Sequence, residues 1–170
     1  MSRGEIQIYV ACLAAYNNGH LHGRWIDAAQ EADAIRANIT AMLEASPIAD
    51  AEEWAIHDYE GFEGLSISEY EGIERVVELA DFIGEHGKLG ALLVDHLGDL
   101  DEARQALNER YCGQFESLAD YVQELTEETA IPEHLRFYID WQAMARDAEI
   151  SGDVFTVRTA HDEVHVFAGV

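Results

Sequence analysis

Lysine is nearly missing from this sequence. Lys88 stands alone, and with the arginines it makes 10 basic residues against 34 acids, a formal net charge of -24. Phosphate partners need a basic face, so this balance excludes direct binding to nucleic acid and to anionic membrane. Cysteine is scarce as well. Cys12 and Cys112 are too few for a disulfide framework and read as small, reduced, partly buried apolar residues. No run approaches the roughly 18 apolar residues of a membrane-spanning helix. Met1-Ser2-Arg3-Gly4 lacks the apolar stretch of a signal peptide, so a cytoplasmic location is expected.

Catalytic and metal signatures are also wanting. There is no P-loop, no dinucleotide fingerprint and no G-x-S-x-G around a serine nucleophile, which leaves the His57-Asp58 pair without chemistry to orient. Asp95 to Asp101 imitates the start of a calcium loop. Leu100 replaces the required glycine, however, and Ala106 replaces the closing acid. His20-x-His22 and His161-x3-His165 have no cysteine or carboxylate cluster to complete a zinc site, so they read as surface or turn histidines. Trp25, Trp54 and Trp141 read as core residues. No enzyme activity, metal or cofactor is expected.

What is present suits a folded protein, because 48% of the residues are hydrophobic, and acidic disordered chains are poor in such residues. Glu5 to Tyr16 reads as a strand, Asn17-Asn18-Gly19 as a turn, and His22 to Ile26 as the returning strand. Asp27 is the expected N-cap of a helix to Glu44, broken by Ser46-Pro47, and Glu53 to Tyr59 reads as a third strand. Ser66 or Ser68 is expected to cap a helix ending at Gly84, with Ile73, Val76, Val77, Ala80 and Ile83 inward. Shorter helices follow from Leu89 to Leu97 and from Asp99 or Asp101 to Cys112-Gly113. A helix from Phe115 to Thr129 and another from Ile131-Pro132 to Ile150, broken near Asp140, lead to a hairpin of Val154–Arg158 and Val164–Phe167. The class is α+β. Three small domains in series are expected: an N-terminal α+β unit at 1–61, a helical middle at 62–110 and a C-terminal α+β unit at 111–170.

The charge is spread evenly. Residues 1–60 carry a net charge of -7, residues 61–110 carry -8 and residues 111–170 carry -9, unlike an acidic tail. Within helices the acids line up. Glu71, Glu74, Glu78, Asp81 and Glu85 are spaced 3, 4, 3 and 4, which predicts one helical face and a ridge about 21 Å long. Glu116, Asp120, Glu124 and Glu127 or Glu128 repeat the pattern, and Asp95, Asp99 and Glu102 form a weaker third case. Like charges at i,i+4 destabilise a helix, so a surface selected for stability alone would place lysines between them. Duplex DNA carries one charge per ~1.7 Å of axis, so the chain's net charge matches roughly 41 Å of duplex, and a dimer's roughly 80 Å. Ordered acids on this length scale suit a decoy for a DNA-binding groove. A single such stripe is also what a merely solvated helix face looks like.

Three segments resemble the ArdA antirestriction family. They are Ile8-Tyr9-Val10-Ala11-Cys12-Leu13-Ala14-Ala15-Tyr16-Asn17-Asn18-Gly19 with Gly23-Arg24-Trp25, then Glu53-Trp54-Ala55-Ile56-His57-Asp58-Tyr59-Glu60. The third runs through Ile131-Pro132, Tyr138-Ile139-Asp140-Trp141-Gln142-Ala143, Ala145-Arg146-Asp147 and Ser151-Gly152. The resemblance implies an elongated homodimer of three-domain chains that mimics bent B-form DNA. Its target would be the methyltransferase core of a type I restriction–modification enzyme, whose DNA site it would occupy. It also implies a dimer contact in the C-terminal domain, where Tyr111, Phe115, Tyr121, Phe137 and Tyr138 are the candidates. Rival readings of the composition are a halophile-adapted acidic binding module, a calcium buffer, and an acidic chaperone for a basic DNA-binding protein.

Overall fold

The computed structural model describes residues 5–169; the reading attached to Met1–Gly4 lies outside them. The described residues form two compact units, the first ending at Ala91 and the second beginning at Leu92. The class is α+β, with one small antiparallel sheet in each unit and helices between them in sequence.

The first unit is built on strands β1 (Gln7–Cys12), β2 (Gly23–Asp27) and β3 (Trp54–Glu60), in the order β2-β1-β3. Strand β1 is shorter than the expected Glu5–Tyr16 span, because Leu13–Asn17 closes into a helical turn, α1, before the Asn18-Gly19 bend. Ile8, Val10 and Ile26 bury one sheet face, and helix α2 (Ala32–Glu44) supplies Ile35, Ile39 and Met42 to the same core. Asp27 does not cap α2 as expected. Its carboxylate accepts from the Ala29 N–H at 2.8 Å in an Asx turn, and the helix opens only behind Glu31, four residues further on. Gly61 closes β3 at a φ of 83°, and a Cβ there would lie 2.4 Å from the Glu5 carbonyl oxygen. Only glycine lets the chain pass the segment just before β1 so closely.

Helix α3 (Ile73–Leu97) opens later than the expected Ser66 or Ser68 cap; Ser68 instead accepts from the Tyr70 N–H in a preceding turn. Gly84 does not end it. The break falls at Gly87, whose φ of 62° and ψ of -144° are non-helical and open to glycine alone. Ile73, Val76, Leu79, Ala80, Phe82 and Ile83 are its buried stripe in the first unit.

The second unit holds the end of α3, helix α4 (Leu100–Gln105), and a π-helical turn at Ala106–Arg110. The chain was expected to stay helical to Cys112-Gly113. Instead it enters strand β4 (Tyr111–Phe115), which pairs with β6 (Glu163–Ala168) in a sheet ordered β4-β6-β5, where β5 is Val154–Ala160. Helices α5 (Leu118–Glu127) and α6 (Trp141–Ser151), separated by a 3-10 segment at Glu133–Tyr138, cover one face. Their Leu118, Val122 and Ala145 pack with Val164 and Val166. Tyr111, Phe155, His165 and Phe167 cluster on the other face, and the His96 ring stacks on Phe155 at 4.9 Å.

Candidate functional site

Helix α3 turns the sequence spacing into a surface. At about 100° per residue, Glu74, Glu78, Asp81 and Glu85 fall within about 60° of one another. Val76, Leu79, Ala80 and Ile83, the buried residues, lie on the opposite side. All four acids are exposed. Glu71 is not on this face, because it precedes the first helical residue by two positions and its carboxylate lies 3.9 Å from Arg75. The ridge is therefore four acids over about 16 Å, shorter than expected.

Its first member is compensated. Arg36 of α2 donates to the Glu74 carboxylate and lies 3.6 Å from Asp33. That hydrogen bond holds Glu74 below the usual carboxylate range and raises Arg36. Glu85 has only the neighbouring His86 ring, at 3.8 Å. Among the described residues, the Glu78 and Asp81 side chains have no hydrogen bond or ion pair. The uncompensated ridge is Glu78, Asp81 and Glu85.

The other two stripes break up further. Ser117 caps α5 by accepting from the Asp120 N–H at 3.2 Å, which leaves Glu116 outside the helix. Asp120, Glu124 and Glu127 then repeat at i, i+4 and i+7, and Glu128 is the C-terminal cap residue. Glu127 accepts from Gln123 at 3.1 Å and lies 3.9 Å from Arg136. Asp99 caps α4 by accepting from the Glu102 N–H at 2.9 Å, so one of its carboxylate oxygens has a structural task. Asp95 and Glu102 remain exposed.

Strand register gathers three acids that helical spacing did not reveal. Gln7 pairs with Asp27 on one side and Glu60 on the other, and Tyr9 pairs with Trp25 and Asp58. These residues share the sheet face away from α2, with the Tyr9 and Trp25 rings 5.4 Å apart. Trp25 is thus a surface residue, 39% exposed, and not core. The alternation Asp58-x-Glu60 carried the signal, but a register shift between Tyr9 and Val10 changes the strand's parity and hid it.

Of the aromatic candidates for self-contact, three are engaged within the second unit. The Tyr111 hydroxyl lies 2.6 Å from His165 Nδ1, and Phe115 and Tyr121 pack at 5.1 Å. Tyr121 is pushed up to about 12 by its hydrogen bond with Cys112 and by burial. Phe137 and Tyr138, by contrast, are 94% and 84% exposed. His165 is no surface histidine. It is buried, with Nε2 3.1 Å from Thr159 Oγ1, and that hydroxyl is 2.9 Å from Glu163. A carboxylate only accepts, so Thr159 donates to Glu163 and accepts from Nε2–H, which leaves Nδ1 to accept from Tyr111. Burial lowers the His165 pKa, against a smaller opposing pull from Glu163.

No group of three or more His, Cys, Asp or Glu side chains is placed to hold a metal ion among the described residues. No helix among them is long and apolar enough to cross a membrane. No curated protein gave a match. A family model described as antirestriction protein (ArdA) matches residues 8–163, from β1 to the start of β6. With nearly the whole chain inside that match, the protein belongs to the ArdA family, non-enzymatic antirestriction proteins that mimic DNA and inhibit type I restriction enzymes.

Proposed function

We propose that Glu78, Asp81 and Glu85 stand in for phosphates of one DNA strand inside the DNA groove of a type I methyltransferase core. The observation that carries this reading is that these three exposed carboxylates share one helix face with no arginine or lysine paired to them. Four ridge acids over about 16 Å give about one charge per 5 Å, sparser than the one per 3.4 Å of a single DNA strand. The ridge therefore imitates part of one strand, and other acids supply the rest. Asp95, Glu102, Asp120 and Glu124, together with the sheet-face acids Asp27, Asp58 and Glu60, are the remaining contributors. Glu71, Glu74, Asp99, Glu116, Glu127 and Glu128 are secondary, being paired, capping or off the helix faces.

The working form in this reading is an elongated cytoplasmic homodimer of three-part chains, divided near 61 and 110. Phe137 and Tyr138 support a contact between copies in the C-terminal part, since two large aromatics this exposed on one short segment are unusual on a monomer. A pair of salt titrations tests the reading. Screening relieves self-repulsion, so the melting temperature of the free protein rises with salt, while affinity for the methyltransferase falls. Halophilic adaptation shares the first trend only. Affinity that is flat or rising with salt would make the acids solubility features.

A further inference from the structure

A groove of about 560 Å³, lined by α5, α6, the start of β5 and the end of β6, plays no part in the carboxylate ridge. Tyr121, Leu125, Met144 and Val154 give it an apolar floor, and Asp147 and Asp153 stand within it. Leu125 and Met144 are 52% and 40% exposed, which leaves apolar surface uncovered. The polar groups settle what fits. Thr126 donates its hydroxyl to the Val122 carbonyl at 2.7 Å, and Ser151 donates to the Ala148 carbonyl at 3.2 Å. The hydroxyl hydrogens of Thr126 and Ser151 are thus committed to the backbone. Neither Asp147 nor Asp153 has a side-chain hydrogen bond or ion pair among the described residues, so the groove offers a ligand two unpaired carboxylates, which only accept.

A ligand for this groove must bring an apolar body and cationic donors. DNA brings acceptors and negative charge, and is repelled. A second copy of this chain, with 34 acids to 10 bases, has few cations to set on two aspartates, and its contact is assigned above to Phe137 and Tyr138. We propose that the groove docks a protein segment of the restriction enzyme itself, one that lays an apolar side chain or an aliphatic stem on Leu125 and Met144 and sets an arginine or lysine head on Asp147 and Asp153. This rests on the DNA-mimic reading and adds to it a contact that no DNA makes. It lets the inhibitor hold its target more tightly than charge imitation alone, and it selects enzymes that carry such a segment beside their DNA groove.

The test measures the dissociation constant for the type I methyltransferase across a salt series, and the association state of each variant by sedimentation equilibrium. L125S/M144S is expected to weaken binding roughly tenfold at every salt with the slope unchanged, the signature of lost apolar contact. D147N/D153N, the variant that cannot disturb packing, is expected to weaken binding most at low salt and to flatten the slope. E78Q/D81N/E85Q is the control for the ridge. If both groove variants bind like wild type while the ridge variant is weakened, the groove proposal falls and the mimic reading stands. If the groove variants are weakened and the ridge variant is not, the groove stands and the ridge falls. A shift of L125S/M144S towards smaller species would make the groove a contact between copies and overturn the proposal.

Discussion

Removing the uncompensated ridge with E78Q/D81N/E85Q should move stability and inhibition in opposite directions. Glu78–Asp81 and Asp81–Glu85 are like-charge pairs at i,i+3 and i,i+4 on α3, and the third pair, Glu74–Glu78, is left out of the sum because Arg36 offsets Glu74. Each such pair destabilises a helix by about 0.2–0.5 kcal/mol, so the triple variant gains about 0.4–1 kcal/mol. For a chain of this size that raises the melting temperature by about 1–4 °C. Binding moves the other way. Exposed charge contacts contribute about 0.2–1 kcal/mol each, so losing three costs about 0.6–3 kcal/mol, a fall in affinity of about 3-fold to 140-fold. Thermal melting and a competition assay against labelled duplex on the methyltransferase give the two numbers. An E71Q variant serves as a comparison, because Glu71 lies off the helix beside Arg75 and should change inhibition little. A triple variant that is more stable and inhibits as well as wild type would refute the argument.

Two further outcomes follow from single residues. Asp99→Ala should lose about 1 kcal/mol through the missing N-cap, whereas Asp99→Asn keeps the acceptor and should nearly preserve stability and inhibition, read by chemical denaturation and the same competition assay. His165 is buried with a lowered pKa, so the unfolded chain binds its proton more readily than the fold does. Its contribution is intact above the unfolded value of about 6.5 and is lost as pH falls from there towards the lower folded value. Wild type should therefore lose stability relative to His165→Asn in urea melts as pH is lowered from about 7.5 to 5.5, and parallel curves would refute the assigned protonation.

Much of the fold was legible, and the failures share a cause. The Val154–Ala160 and Glu163–Ala168 hairpin and the buried stripe of α3 carry clean periods of 2 and 3.6. Strand β4 was missed because Tyr111-Cys112-Gly113-Gln114-Phe115 is short, centred on glycine, and pairs with a strand about fifty residues away in sequence. Asp27 was misread because a lone acid before a helical pattern suits an Asx turn as well as a cap, and the contest is decided by the Ala29 N–H. For the site, helical spacing made the α3 ridge visible. It was silent on Arg36 reaching Glu74 from another helix and on the strand register that gathers Asp27, Asp58 and Glu60. Those are nonlocal facts that a one-dimensional period does not carry.

The central claim is that this protein takes the place of DNA without touching DNA. The most direct measurement titrates it into a complex of a type I methyltransferase with labelled duplex, with free duplex alone as the parallel lane. With a net charge of -24 the protein should release the duplex near stoichiometric addition and leave the free duplex unshifted. Survival of the enzyme–DNA complex in excess inhibitor, or a shift of the free duplex, would contradict it.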